Sequence, residues 1–196
     1  MYSKRLKRLL LGFIMAALFS CSSNLEEEKN ELKSINVFLP LLEMEHLSSF
    51  PEAKYYNGSS TRTDLLFISY KDPNTCSLCE VSHLSDWTSI VKKANEVNPV
   101  NFIFIFATTK EEHKRIEKYY LSMKYLQSIY LDYNNAFEKC NPKLKNAKYH
   151  SFLMDANGKL LYVGDPTKSE SNEKNLLNVL KAYAEKGQTT LNESLD

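Results

Sequence analysis

The hydrophobic positions along this chain change their period several times, and each change marks an element. Residues 64–70 (Asp-Leu-Leu-Phe-Ile-Ser-Tyr) are a short apolar, β-branched and aromatic run, closed by the turn-rich Lys71-Asp72-Pro73-Asn74-Thr75. This predicts a strand that stops at a turn. From residue 77 to about 97, Leu84, Trp87, Val91 and Ala94 recur at steps of three and four, the buried stripe of an amphipathic helix. Residues 100–107 (Val-Asn-Phe-Ile-Phe-Ile-Phe-Ala) are almost continuously apolar and predict a central strand buried on both faces. Thr108 or Thr109 caps the next helix, where Thr109-Lys110-Glu111-Glu112 resembles a capping box and Ile116, Tyr119, Tyr120 and Met123 form the stripe.

Residues 128–133 predict another short strand, followed by a polar stretch over residues 134–148 that carries Cys140 and Pro142. Residues 152–155 and 160–164 flank Ala156-Asn157-Gly158-Lys159, and Asn-Gly between two apolar runs signals a hairpin of antiparallel strands. Residues 171–186 read as a closing helix with Leu176, Leu177, Leu180 and Tyr183 facing inward. Gly187 is expected to end it, leaving 187–196 as a frayed tail. Residues 31–50 hold apolar positions broken by Pro40, which predicts an added strand or short helix.

Charge then separates the two ends of the chain. The 196 residues carry 25 Lys and Arg against 24 Asp and Glu, but Lys4, Arg5, Lys7 and Arg8 lie within the first eight positions. Without residues 1–20 the remainder has 21 basic and 24 acidic residues, a net charge of −3. That sign excludes a general nucleic-acid footprint, which needs clustered Lys and Arg. The five glycines, at 12, 58, 158, 164 and 187, assemble neither a phosphate-cradling loop nor a dinucleotide fingerprint. The four basic residues precede an uninterrupted apolar run at 9–19, about half the roughly 20 residues needed to cross a bilayer. This is the pattern of an export signal over residues 1–20. Leu18-Phe19-Ser20-Cys21 resembles the lipobox of bacterial lipoproteins, which implies cleavage before Cys21 and lipidation of its sulfur. Residues 21–33, with their Glu26-Glu27-Glu28 triplet, then read as a solvated tether.

An exported chain lives where disulfides persist, so its four cysteines become informative. With Cys21 assigned to lipid, Cys76, Cys79 and Cys140 remain, an odd number for a structural framework. Cys76-Ser77-Leu78-Cys79 directly follows the first strand and opens the first helix. Cysteines at i and i+3 meet across a first helical turn, and the earlier sulfur lies near unsatisfied N–H groups and the positive end of the helix dipole. Cys76 is therefore the candidate nucleophile and Cys79 the resolving thiol. Glu80 sets a negative charge beside the pair that opposes thiolate formation.

The order strand, CxxC helix, strand, helix, strand, hairpin, helix resembles the thioredoxin fold over about residues 60–186. Together with the stretch from Tyr149-His150-Ser151-Phe152 to Gly164-Asp165-Pro166, it is most similar to the TlpA-like lipoproteins seen in Bacteroidota. The resemblance implies an α/β fold with a central mixed sheet, helices on both faces and an N-terminal extension, the domain covering residues 34–186. It also implies a membrane-tethered, monomeric thiol-disulfide oxidoreductase of the cell envelope, lipid-anchored to a bacterial membrane, the outer one, on its periplasmic or its surface face. Such an enzyme acts on cysteine-containing proteins and needs no cofactor. Two positions depart from the pattern: Tyr149 stands where most thioredoxin-like proteins place a cis-proline against the active site, and Thr75 replaces the common Trp before the first Cys. A trans peptide and a reshaped substrate-binding loop around Tyr149 are expected.

The resemblance implies that His150 faces the CxxC, either to stabilise the Cys76 thiolate or to shuttle a proton; the alternative reading is a hydrogen-bonded loop histidine. Cys140 reads as a free thiol. A closed zinc site of Cys76, Cys79, Cys140 and His150 is the metal alternative. The rival functional class is a non-catalytic binding or assembly module whose CxxC is a structural disulfide or holds metal. Haem attachment fails because Glu80 occupies the position of the required His.

Overall fold

Two neighbouring apolar runs become the middle of the sheet. In a computed structural model that describes residues 35–48, 64–123, 125 and 127–193, β2 (Leu65–Lys71) is buried at all but its last position and β3 (Asn101–Ala107) at all but its first. Continuous burial is what apolar runs without alternation require. The two pair in parallel, from Leu66 opposite Asn101 to Lys71 opposite Phe106. β4 (Ile129–Asp132) adds in parallel beside β3, and β1 (Glu45–Leu47) closes that edge antiparallel to β4. On the other side of β2, β5 (Ser151–Asp155) and β6 (Leu160–Val163) form the antiparallel hairpin. The sheet order is β1-β4-β3-β2-β5-β6. The signal segment, the tether with Cys21 and residue 34 lie outside the described residues.

The helix expected over residues 77–97 is divided. α1 (Ser77–Ser82) passes through a 3-10 turn at His83–Asp86 into α2 (Trp87–Val97). Ser82 accounts for part of the break, since its hydroxyl donates to the Cys79 carbonyl at 2.5 Å and competes with the helical ladder. The apolar stripe survives the break: Val81, Leu84, Trp87, Ile90 and Ala94 are buried, and Val91 is partly so. α3 (His113–Met123) starts later than expected. Thr108 pairs with Glu112 at 2.8 Å and a turn fills the gap, while Ile116 and Tyr120 face the core and Tyr119 lies exposed.

The stretch 134–148 is more structured than its polarity suggests. α4 (Ala136–Cys140) and 3-10 turns at Pro142–Leu144 and Ala147–Tyr149 bury Phe137, Leu144 and Tyr149. α4 is started by Asp132, a fully buried carboxylate that accepts from the amides of Ala136 at 2.9 Å and Phe137 at 3.0 Å. The last helix, α5 (Glu170–Glu193), runs through Gly187 instead of ending there. One glycine inside a helix costs only about 1 kcal/mol relative to Ala, too little to stop it.

The crossovers from β2 to β3 to β4 put α1, α2 and α3 on one face of the sheet, where α5 joins them through Leu176 and Leu180. The chain then crosses back to β5 and covers the other face with α4, the 3-10 turns and an N-terminal strap contributing Val37 and Met44. This strap runs from the β5–β6 turn, where Val37 N–H donates to the Gly158 carbonyl at 2.8 Å, through a 3-10 turn at Leu41–Glu43, to β1 on the opposite edge. The architecture has the expected α/β layout: a mixed sheet layered on both sides, with a CxxC segment at the C-terminal end of a central parallel strand.

Candidate functional site at the Cys76–Cys79 pair

β2 ends at Lys71, and Asp72 turns the chain. Its carboxylate accepts from Asn74 N–H at 2.8 Å, and its carbonyl accepts from Thr75 N–H at 3.1 Å and from the Thr75 hydroxyl at 2.7 Å. The turn delivers Cys76, in extended conformation, to the N-cap of α1, where its sulfur accepts from Cys79 N–H at 3.3 Å. Cys76 and Cys79 are joined in a disulfide, their Cα atoms 5.2 Å apart, and both residues are exposed. Ser77 between them is buried and donates to the Ala107 carbonyl at 3.1 Å, which fixes the start of α1 to the end of β3.

The charge of Glu80 is not left to act on the sulfurs alone. Lys71 holds its carboxylate at 2.9 Å, so the opposition to thiolate formation read from the sequence is largely compensated. His150 is 5% exposed, edge-on to Tyr70 at 4.9 Å between ring centroids, with Nδ1 3.6 Å from the Asp72 carboxylate. Burial lowers its pKa, against the opposing charges of Asp72 and Glu138 and the nearby carbonyls of Leu144 and Lys145. The ring is therefore neutral at pH 7, and its buried Nε2 has no hydrogen-bond partner among the described residues. A cavity of about 290 Å³ brings His150 together with Thr75 and Glu80, which flank the two cysteines, and with Lys71 and Asp72.

No family model matches the chain, and no curated protein matches it. Among solved structures it is similar to the solution structure of an uncharacterized thioredoxin-like protein from Porphyromonas gingivalis. The two are 16% identical, the match covers 74% of this chain and 92% of that one, and the TM-score is 0.47.

The other residues singled out in the sequence lie elsewhere or differently. Tyr149 follows a trans peptide and is buried against the strap-side core, with the Lys148 ammonium 4.7 Å from its ring centroid. Cys140 is a free, exposed thiol at the end of α4. The zinc alternative is not assembled: Cys76 and Cys79 bond to each other, and no group of three His, Cys, Asp or Glu residues able to hold a metal occurs among the described residues. His83 is exposed beside Asp86. His113 meets the Tyr133 hydroxyl at 2.7 Å, and that hydroxyl donates to Glu45, tying β1 to the body of the domain. Lys71 and Asp72 are the site residues that sequence reasoning missed. The available signal was two charged residues at the end of a strand otherwise buried throughout.

Proposed function

We propose that this protein is a membrane-tethered thiol-disulfide oxidoreductase acting on cysteine-containing proteins of the cell envelope. The supporting observation is the exposed Cys76–Cys79 disulfide at the start of α1. In the reduced state the Cys76 thiolate attacks one sulfur of a partner's disulfide. A Cys76–partner disulfide forms and the partner's other sulfur leaves as a thiolate that takes up a proton. Cys79 then attacks the Cys76 sulfur, the second partner sulfur leaves, and the Cys76–Cys79 disulfide is restored. Two electrons pass to the partner, and the reverse sequence oxidises it. His150 is the auxiliary group, a neutral base at pH 7 whose affinity for a proton is reduced by burial. The loop of Tyr149 meets the bound partner through its main chain, since the Tyr149 ring is buried. Acylation of Cys21 holds the monomeric domain at the outer membrane.

Substitution tests the two thiol roles separately. Cys79→Ser is expected to accumulate a mixed disulfide with a model substrate protein, and Cys76→Ser to form none. The pair is expected to equilibrate with glutathione at a potential above about −300 mV, whereas a purely structural disulfide lies below that value. Exchange left unchanged by Cys76→Ala, or a disulfide that resists glutathione, overturns the reading. Intact mass of the protein isolated from membranes tests acylation of Cys21.

A further inference from the structure

We propose that the outer side of the N-terminal strap, with the lysines next to it, seats the domain on an anionic lipid surface. The strap is two-sided. Val37, Pro40 and Met44 are buried beneath it, whereas Phe38 is 60% and Leu42 98% exposed. The remaining exposed large hydrophobic residues among those described, Tyr119 and Leu121, are on α3 across the sheet.

The exposure of Phe38 is held in place. Asn141, itself buried, accepts from Phe38 N–H at 2.9 Å through its side-chain oxygen and donates to the Phe38 carbonyl at 2.8 Å. The same clamp joins the strap to residues 139–154, a stretch with four lysines, at 139, 143, 145 and 148, and no Asp or Glu. All four are exposed. Glu43, beside Leu42, is the one carboxylate on the 3-10 turn of the strap. In a chain that carries a net −3 beyond residue 20, this basic stretch is a local feature. Apolar side chains that enter the headgroup region and lysines that meet anionic lipids are the two components of interfacial binding.

The occupant follows from where the anchor lies, and here the inference rests on the proposed acylation of Cys21. The strap starts at Ile35, fourteen residues after Cys21, and a chain of that length reaches at most about 50 Å. A tether this short keeps the strap at high effective concentration beside lipid. α1, which carries the disulfide at its start, packs on the face of the sheet opposite the strap.

Cys140 supplies the reporter. With Cys76–Cys79 oxidised and Cys21 acylated, it is the thiol left for an environment-sensitive fluorophore. The acylated, labelled chain is placed on vesicles containing phosphatidylglycerol and on pure phosphatidylcholine vesicles. On the anionic vesicles the emission is expected to shift to the blue and to be quenched by nitroxide-bearing lipids, and high salt should reverse both effects. Phe38→Ser with Leu42→Ser should abolish the shift while the protein still floats with the vesicles. Each of Lys143→Gln and Lys145→Gln should lower the ratio of seated to unseated domain about fivefold. Protein that floats with emission equal to that in buffer overturns the proposal, as does a shift produced by an acidic protein and not by lipid. An unacylated mass, with Cys21 also labelled, refutes the anchor instead. The unacylated chain must then show the same shift on concentrated anionic vesicles, and no shift there overturns the surface as well.

Discussion

Replacing Gly158 with Ala tests the attachment of the strap to the sheet. Gly158 has φ +81°, a left-handed conformation that costs an L-residue roughly 1–2 kcal/mol. An added Cβ would stand 2.5 Å from the Val37 carbonyl oxygen and 3.2 Å from the Val37 nitrogen. Both are main-chain atoms, so no rotamer change relieves the contact and the strap must lift. Lifting breaks the Val37-to-Gly158 hydrogen bond, worth about 1 kcal/mol net, and exposes part of Val37, worth up to about 1.5 kcal/mol. Together these amount to a loss of about 3–4 kcal/mol. Urea unfolding of the oxidised protein, followed by the buried Trp87, is the assay. With a slope of about 2 kcal/mol per molar, the midpoint should fall by roughly 1.5–2 M. Hydrogen exchange should show the Val37 amide losing protection before the sheet amides do. Asn157→Ala, one residue earlier, is the control, because the turn uses the Asn157 main-chain N–H to reach Asp155 and not its side chain. A Gly158→Ala midpoint within about 0.3 M of wild type, with Val37 still protected, would refute the reasoning.

Asp132→Ala leaves the buried amides of Ala136 and Phe137 without their acceptor and should lower stability by about 2–4 kcal/mol, measured by the same unfolding experiment. His150 makes stability depend on pH in a defined direction. Its folded pKa lies below the ordinary 6.5, so the unfolded chain takes the proton first; the contribution is complete above about pH 6.5 and is lost as pH falls below it. His150→Gln should therefore lose less stability than wild type between pH 7 and pH 5, and parallel curves would contradict the burial argument. Lys71→Met leaves Glu80 unpaired beside the cysteines and should slow alkylation of reduced Cys76 at pH 7 about two- to fivefold, the range of a partly exposed ion pair. An unchanged rate would mean that the Glu80 charge does not reach the sulfur.

What could be read along the chain was whatever depends on neighbours in sequence. The run 100–107 had to be a strand buried on both faces, since no alternation offers a solvent side. The stripe of Leu84, Trp87 and Ala94 holds although helical hydrogen bonding breaks at His83–Asp86, because it answers to the core and not to the helix. The hairpin was legible from Asn157-Gly158, although its turn keeps φ positive at Gly158 alone. The i, i+3 spacing of Cys76 and Cys79 sufficed to bring their sulfurs together at the start of α1.

Tertiary structure decided whatever depends on partners distant in sequence. Lys71 and Glu80 are nine residues apart, and only the turn between β2 and α1 makes them an ion pair. His150 reaches Asp72 because β5 pairs antiparallel with β2. The polar composition of residues 134–148 hid α4, whose start is satisfied by Asp132 from the preceding strand, and hid the clamp of Asn141 on Phe38, 103 residues away. Hydrophobic period and local spacing act through a few bonds of chain. Charge compensation, burial of a histidine and the seat of a strap arise only when the sheet brings remote segments together, and no local pattern records that.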